Sequence, residues 1–194
     1  MFHKANYLIK EHVSFLKFSD TYDILDPQNG ELVATARENI SIFIKLIRLV
    51  IGKKLLPTKV EITNEATADV VYTMKKGFTI LRSKVVVSGV NGEIGYFKSR
   101  VFTIGGRFDV FTPSHEKVAE VKGGWIGWTF KFIDNNKKEL GSVEKKWAGI
   151  GKEFFTSADN YMISLNPELT SKPELMALLI TAGLAIDVVY NEKK

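Results

Sequence analysis

The side chains able to do chemistry are few and are poorly spaced for catalysis. The three histidines, His3, His12 and His115, show none of the close spacings, such as His-x-x-x-His, that are typical of metal ligands. The sequence has no Gly-x-Ser-x-Gly nucleophile elbow, and it has no cysteine, which excludes thiolate catalysis, cysteine zinc sites and disulfides. We therefore predict that the protein is not an enzyme and that it has neither catalytic residues nor a cofactor.

Four aspartates could act in acid–base chemistry, and the sequence favours structural roles for all of them. Asp23, Asp109 and Asp134 recur near predicted hairpin turns, where a carboxylate is expected to stabilise the turn, and His115 is expected to be an exposed turn residue. Asp187 ends a very apolar segment, so it must be hydrogen-bonded, paired, protonated or placed at the mouth of the fold. We favour a structural role at the mouth, and a ligand-sensing role is the alternative.

A strongly apolar segment with basic residues, 39–52, is the best candidate for a binding surface. As a helix it places Lys45 and Arg48 on one narrow polar stripe and leaves most other positions apolar. Such a helix either packs along the outside of the domain with both side chains in water, or lies at a membrane surface with both reaching anionic head groups. A strand at 40–44 is a third interpretation. The residues predicted to contact lipid are Lys45, Arg48, Lys53 and Lys54.

The elements that position these residues are mostly strands. Residues 22–33, 108–119 and 130–141 share one plan, in which alternating apolar residues flank a short polar turn. Asn91-Gly92 adds the strongest two-residue hairpin turn, because both positions tolerate a positive φ. Further strands are predicted at 13–18, 59–63, 70–74, 78–83, 84–88, 95–102 and 144–147. The total is about ten to twelve strands.

The carboxy-terminal segment predicts a helix that must be surrounded on every side. Ser171 is a candidate N-cap, with Glu174 three residues later and Pro173 in the first turn. The twelve residues 175–186 carry no charge, and their large apolar side chains point in all directions around a helical period. Such a length is typical of a buried core helix, because a membrane span needs about 20 apolar residues. A tail anchor in a membrane is the alternative.

Together these elements predict a mainly β protein. Its fold class is a closed antiparallel barrel of about twelve strands around a central hydrophobic helix, Pro173 to Tyr190, with one more helix near residues 39–52. A helix of about 17 residues is about 26 Å long, which matches a strand of about eight residues. The whole chain, residues 1–194, is predicted to be a single domain.

The order of these elements resembles a known family. The most specific part is the block from Lys145 to Tyr161, which contains Trp147-Ala148-Gly149-Ile150-Gly151, followed by an apolar helix that contains Ala185-Ile186-Asp187. This layout resembles the phospholipid scramblases and the plant LURP-one-related proteins, which have the tubby C-terminal-like fold. The resemblance implies a twelve-stranded antiparallel barrel around a central carboxy-terminal helix, and it implies an association with phospholipid.

The resemblance also bears on calcium. The calcium segment of the scramblases aligns with Ser157 through Glu168, and it makes Asp159, Asn160 and Glu168 the calcium candidates of this chain. Ser157 stands where the family has its first aspartate, and Met162 replaces the glycine of the sharp turn. Because a hard cation needs several oxygen ligands and that turn, we predict no metal site.

These observations predict a non-enzymatic protein that associates with phospholipid or a membrane surface. A net charge of +5 suits anionic lipid as a partner. The alternative is a cytosolic protein-interaction or regulatory scaffold without lipid binding, and a third hypothesis, lipid scrambling, would require the terminal helix to enter a membrane. Nucleic acid is disfavoured as a partner, because large aromatic residues at strand spacing are typical of a core. The lack of cysteine and of a visible secretory signal predicts a cytoplasmic location, including the periphery of a membrane.

Overall fold

Twelve strands and two α-helices make up the part of the chain that the structure describes. The computed structural model describes residues 1–12, 20–47, 50–51, 55–79, 82–100, 107–124, 128–145 and 160–188. The strands are β1 (Asn6–Glu11), β2 (Thr21–Leu25), β3 (Leu32–Glu38), β4 (Thr58–Asn64), β5 (Val70–Lys76), β6 (Lys84–Gly89), β7 (Gly92–Ser99), β8 (Phe108–Phe111), β9 (Lys117–Gly124), β10 (Thr129–Ile133), β11 (Glu139–Glu144) and β12 (Tyr161–Leu165). The helices are α1 (Ile42–Ile47) and α2 (Pro173–Val188), and a 3-10 helix covers Pro167–Ser171.

The strands form one closed antiparallel barrel. Each strand pairs with its neighbours in sequence, and β1 pairs with β12 to close the sheet, with Tyr7 opposite Ile163. Burial alternates along the strands, as in β2, where Tyr22 and Ile24 are buried and the residues on either side are not. Closure removes the edges of the sheet, which would otherwise expose unpaired backbone groups. The predicted fold class is therefore confirmed.

The hairpin turns follow the residues that favour them. Val90 and Asn91 join β6 to β7, one residue earlier than the predicted Asn91-Gly92 pair, and Gly92, the first residue of β7, has a φ of 119°, which a residue with a side chain rarely adopts. In the turn between β10 and β11, Asp134 Oδ1 accepts hydrogen bonds of 2.8 Å from the backbone N–H groups of Asn136 and Lys138. The predicted turn-stabilising role of Asp134 is confirmed.

Helix α2 runs through the middle of the barrel. Thirteen of its sixteen residues are buried. A Cβ atom added to Gly183 of the helix would lie 2.7 Å from Ile163 of β12, and one added to Gly95 of β7 would lie 2.7 Å from Leu178 of the helix. The helix thus contacts strands that are far apart in the order of the barrel. The prediction of a buried core helix is confirmed.

Aromatic side chains fill much of the space between the barrel wall and the helix. The rings of Phe97 and Phe108 lie with their centroids 5.9 Å apart, and both are fully buried. Phe130 and Phe132 are buried in the same core. These phenylalanines therefore stabilise the interior, as their spacing predicted, and do not form an external stacking platform for nucleic acid.

The predicted N-cap of α2 is wrong. Helix α2 begins at Pro173, and the N–H group of Met176 bonds to the carbonyl of Lys172 at 2.9 Å. The Ser171 hydroxyl instead donates to the carbonyl of Glu168 at 2.8 Å. The reason is the 3-10 helix that directly precedes α2, because its last turn uses the side chain that the sequence offered as a cap.

The predicted strand at 78–83 is also wrong for the residues that are described there. Strand β5 ends at Lys76, and the N–H group of Thr79 donates to the carbonyl of Leu55 at 3.0 Å. This hydrogen bond draws the chain away from the barrel wall toward the connection between α1 and β4. The predicted strand at 13–18, and the end of the one at 144–147, lie outside the described residues.

The helix predicted near residues 39–52 is shorter than expected. Helix α1 covers Ile42–Ile47, which excludes the alternative of a strand there. The N–H groups of Val50 and Ile51 both bond to the carbonyl of Ile47, at 3.0 and 2.8 Å. Neither Val50 nor Ile51 is part of a helix.

Candidate functional site

The two ends of the barrel differ in the connections that they carry. One end, which we call the turn end, gathers the short turns at residues 26–31, 65–69, 90–91, 112–116 and 134–138. The amino terminus covers this end, where the ring of Phe2 stacks on Tyr72 at 5.8 Å. The other end, which we call the α1 end, carries longer connections, α1 and the last turn of α2. Because binding residues concentrate on loops that a rigid scaffold positions, the α1 end is the candidate site.

Large apolar side chains are exposed at the α1 end. Of nine large hydrophobic residues exposed in the described part of the chain, seven lie at this end, and Val70 and Val90 lie at the turn end. The seven, which we call the apolar patch, are Ile42, Phe43, Leu46, Val50, Ile51, Leu55 and Phe78. The bond from Thr79 to Leu55 places the loop of Phe78 beside the α1 segment. Contiguous exposed apolar residues are typical of a surface that binds a protein or a membrane.

Helix α1 presents its apolar side chains to solvent. Ile42, Phe43 and Leu46 are 76%, 69% and 56% exposed, and no residue of α1 is buried. Lys45 is half-buried. The interpretation in which this helix packs along the outside of the domain is therefore wrong for Ile42, Phe43 and Leu46, which face solvent. A helix this short has too few positions to direct every large side chain toward one wall.

A groove of about 290 Å³ separates α1 from the barrel wall. Its apolar side is formed by Ile40, Ile44 and Pro57, and its basic side by Lys59 and Lys75. Asn39, Ser41, Thr58 and Lys76 complete the lining. The groove therefore joins apolar surface to cationic side chains, as a contact with an amphipathic molecule requires.

Lys59 and Lys75 are basic residues that the sequence analysis missed. They lie directly opposite each other in the pairing of β4 with β5. Lys59 pairs with Glu61 at 2.5 Å, and the Asn39 side chain also donates to Glu61 at 2.9 Å. Both lysines could have been found from the alternation of apolar and polar residues along each strand, because this alternation places them on the outer face of the barrel.

Of the four residues predicted to contact lipid, the structure places one. Lys45 lies in α1, between Ile44 of the groove and Leu46 of the apolar patch. Arg48, Lys53 and Lys54 lie outside the described residues. Phe78, which belongs to the apolar patch, was missed because its segment was predicted as a strand, although Gly77 before it is a common sign of a break.

Inside the barrel, a polar network surrounds the last turn of α2. Tyr22 donates a hydrogen bond of 2.9 Å to Asp187, which is 2% exposed. The Tyr161 hydroxyl is fully buried and has no hydrogen-bond partner among the described residues. Burial raises the pKa of Tyr22 and of Tyr161 well above the usual value, and the negative charge of Asp187 raises both further. Asp187 is thus hydrogen-bonded at the α1 end of the barrel, as its position at the end of a very apolar segment predicted.

Asp23 and Asp109 contact basic side chains from positions on strands, so the predicted turn-stabilising role is wrong for both. Asp23 lies 2.7 Å from His12 across the β1–β2 pair. Asp109 accepts two hydrogen bonds from Arg100, at 2.8 and 2.6 Å. The carboxylate in the β2–β3 turn is Asp26, which accepts a bond of 2.9 Å from the backbone of Gln28.

His115 is an exposed turn residue, as predicted, with a φ of 67°. One of its ring nitrogens, Nδ1, lies 3.1 Å from the hydroxyl of Tyr96. Within the described residues, no group of histidine and acidic side chains could hold a metal ion. The ring of His115 also packs edge-on against the ring of Tyr96, with the two centroids 5.7 Å apart.

The structure does not bring the two described calcium candidates together. Asn160 is buried just before β12, whereas Glu168 is exposed beyond the other end of that strand and bonds to Lys138 at 2.6 Å. Five strand residues between them correspond to about 17 Å. Asp159 lies outside the described residues.

The closed barrel around a carboxy-terminal helix defines a protein of the tubby-like barrel class. Within this class the chain belongs to the scramblase family, because the scramblase family model matches residues 16–193. Neither the curated proteins nor the solved structures give a significant match. Family membership supports a membrane- or phospholipid-associated role in general, and such barrels are generally non-enzymatic. No helix in the described ranges is long and apolar enough to cross a membrane.

Proposed function

We propose that this protein is a non-enzymatic, peripheral membrane-binding protein that attaches to anionic phospholipid through the α1 end of the barrel. The apolar patch enters the boundary between head groups and acyl chains. Lys45, with Arg48, Lys53 and Lys54 of the same segment, contacts the head groups. The single observation that carries the proposal is the exposure of the apolar patch on a chain whose scramblase family is associated with phospholipid membranes.

The energetics of the patch support this mode of attachment. Seven large apolar side chains facing water gain free energy when they enter an apolar phase, and a fully buried one gains about 1.5–3 kcal/mol. Basic residues beside such a surface add attraction to anionic lipid, about 1 kcal/mol each. Lys59 and Lys75 at the neighbouring groove extend this positive charge along the barrel wall. An amphipathic surface of this kind lies on a membrane without spanning it.

Vesicle co-sedimentation tests the proposal directly. Wild-type protein is mixed with vesicles of phosphatidylcholine and phosphatidylserine and compared with a double variant, Phe43→Gln and Leu46→Gln. Because both side chains are mostly exposed, the variant should keep its free energy of unfolding. Its affinity for the vesicles should fall by about tenfold or more. A Lys45→Glu, Arg48→Glu variant should lose binding to anionic vesicles in the same assay.

The turn end supplies a matched control. Val70 and Val90 are 48% and 80% exposed, so the double variant Val70→Gln, Val90→Gln removes a similar apolar area at the opposite end of the barrel. This control should bind vesicles as the wild type does. Equal binding by the patch variant and the control would overturn the proposal. Absence of vesicle binding by the wild type would favour the alternative, a protein-interaction scaffold without lipid binding.

A further inference from the structure

The sequence Asn-Gly-Glu occurs twice in the chain, each time at the turn end of the barrel. Asn29 and Gly30 lie in the connection between β2 and β3, whereas Asn91 is the last residue of the β6–β7 turn and Gly92 is the first residue of β7. Both asparagines are exposed. An asparagine before a glycine can react with its own chain, because glycine has no side chain to keep its backbone nitrogen away from the asparagine amide. The two sites are alike in sequence, and only the structure distinguishes them.

Hydrogen bonds hold both polar atoms of the Asn29 side chain. Its Oδ1 accepts a bond of 3.0 Å from the backbone N–H group of Glu31, and its Nδ2 donates to the Glu31 carboxylate at 3.1 Å. The backbone nitrogen of Gly30 donates to the carbonyl of Asp26 at 2.8 Å. Asp26 is itself buried and pairs with Lys4, so the turn is fixed to the amino terminus. Asn29 can therefore approach the Gly30 nitrogen only after several of these bonds break.

The Asn91 side chain forms no hydrogen bond in the part of the chain that the structure describes. Glu93, the counterpart of Glu31, is already a residue of β7 and lies opposite Ser88 of β6, so it does not turn back toward the asparagine. A Cβ atom added to Gly92 would meet nothing within 4 Å, so the space around this glycine is open. The Asn91 amide can thus rotate toward the Gly92 nitrogen without breaking a side-chain bond.

We propose that Asn91 is a site of spontaneous deamidation, at which the folded protein converts asparagine to aspartate and isoaspartate. The backbone nitrogen of Gly92 gives its proton to a base in the solvent and attacks the side-chain carbonyl carbon of Asn91. A bond forms between these two atoms, the bond from the carbon to Nδ2 breaks, and Nδ2 takes up a proton and leaves as ammonia. Water then opens the cyclic imide at either carbonyl and leaves a carboxylate. The net reaction consumes one water and releases one ammonia.

The product changes the turn end in two ways. The new carboxylate adds a negative charge at an end that already exposes Asp69 and Glu93. Isoaspartate continues the chain through its side-chain carbon, so it lengthens the two-residue connection between β6 and β7. Because the turn sets the register of a hairpin, isoaspartate should weaken the strand pairing next to it. The modification therefore records the age of a molecule in its charge and in the order of one hairpin.

Incubation of the wild-type protein at mildly alkaline pH, below its unfolding temperature, tests the proposal. Trypsin then releases the two sites on separate peptides, 18–37 and 85–98, and mass spectrometry measures the converted fraction of each. Conversion should be about tenfold faster or more at Asn91 than at Asn29, because two side-chain hydrogen bonds must break before Asn29 can react. The product at Asn91 should include isoaspartate, which an isoaspartate methyltransferase detects and which forms only through the cyclic imide.

Matched controls separate the effect of the structure from that of the sequence. In concentrated urea the turns are lost, so both asparagines should convert at similar rates. In the folded protein, Glu31→Ala removes the acceptor of Asn29 Nδ2 and should speed the conversion of Asn29. The equivalent change at the other site, Glu93→Ala, should leave the conversion of Asn91 unchanged, because Glu93 does not hold that side chain. Asn91→Gln should abolish conversion of the 85–98 peptide, because the longer side chain does not form the same ring.

Three results would overturn this inference. They are equal conversion of Asn29 and Asn91 in the folded protein, no conversion of Asn91 under conditions in which it reacts in urea, and conversion of Asn91 to aspartate without isoaspartate. The inference does not depend on the proposed membrane attachment, because Asn91 lies at the end of the barrel opposite the apolar patch and the test measures a mass rather than binding.

Discussion

Two buried tyrosines near the end of α2 illustrate how differently one residue type can be used. Tyr22 donates to Asp187 at 2.9 Å, so its hydroxyl compensates for the burial of a carboxylate. Tyr161 is 0% exposed, and its hydroxyl has no hydrogen-bond partner among the described residues. A buried hydroxyl without a partner costs about 1–3 kcal/mol relative to its hydration in the unfolded chain.

We expect the Tyr161→Phe variant to be more stable than the wild type, by about 1 kcal/mol at neutral pH. The pKa of Tyr161 is raised in the folded protein, so above the usual pKa of 10.0 the unfolded chain loses this proton while the folded protein keeps it. The free energy of unfolding is therefore unaffected by this proton below pH 10 and falls as the pH rises above it. Each such tyrosine steepens the alkaline loss by up to about 1.4 kcal/mol per pH unit. Tyr161→Phe should therefore also lose stability less steeply above pH 10. Urea unfolding at neutral and alkaline pH measures both effects.

Tyr22→Phe is the matched control, because it removes the same atom from a hydroxyl that does form a bond. It should lower the free energy of unfolding by about 1–3 kcal/mol at neutral pH. A Tyr161→Phe variant as destabilised as Tyr22→Phe would show that the Tyr161 hydroxyl forms a stabilising bond.

Among the elements, the two helices have opposite environments. Helix α2 has thirteen buried residues and α1 has none, although both were predicted from similarly apolar sequence. The barrel wall encloses α2, whereas α1 lies in a connection outside the wall. Gly95 of β7 has a φ of 152°, and a Cβ there would lie 2.4 Å from the carbonyl oxygen of Phe111 and 2.7 Å from Leu178 of α2. At this position the wall has no side chain, which leaves room for Leu178 of the helix.

Gly95→Ala should destabilise the protein by about 3 kcal/mol or more, because the added methyl group meets backbone on one side and the central helix on the other, at a φ that favours glycine. Chemical unfolding followed by tryptophan fluorescence measures the change. Gly77→Ala is the control, since a Cβ at Gly77 meets nothing within 4 Å, and it should change stability by less than about 1 kcal/mol. Similar effects of both substitutions would refute the close approach.

At the scale of the whole molecule, the barrel separates stability from binding. The turn end is covered by the amino terminus, and the interior is filled by α2 and the aromatic residues of the wall. The α1 end carries the apolar patch on connections that contribute little to the core. Such a division lets binding residues vary without unfolding the protein.

Alanine substitutions can measure this division. Leu178 and Ile180 lie on opposite faces of α2, about 200° apart, and each should cost about 2–5 kcal/mol when changed to alanine, because the helix is enclosed on all sides. Ile42→Ala in α1 should cost less than about 0.5 kcal/mol. Equilibrium unfolding of the three variants checks both values. A helix α2 with one face tolerant of alanine would not be enclosed by the barrel.

The sequence by itself determined the closed barrel, its central helix and several turns, because these follow from local periodicity and turn chemistry. Alternating burial, the Asn91-Gly92 turn and the uncharged run at 175–186 each depend on neighbours in the chain. The sequence also pointed to residues 39–52 as a binding segment, and to Asp187 as a carboxylate that needs a partner. It failed at Thr79, where a bond to the distant Leu55 replaced the predicted strand, and at Ser171, where the turn of a 3-10 helix used the hydroxyl that was predicted to cap α2.

Only the tertiary structure decided which apolar side chains remain exposed and which charges meet. Tyr22 and Asp187 are 165 residues apart in the chain, and Lys84 faces Lys98 because of the register of one strand pair. Phe78 joins the apolar patch because the backbone N–H group of the next residue, Thr79, donates to the carbonyl of Leu55. Contacts of this kind depend on how distant segments pack, and a pattern read along the chain records only what each residue's neighbours favour.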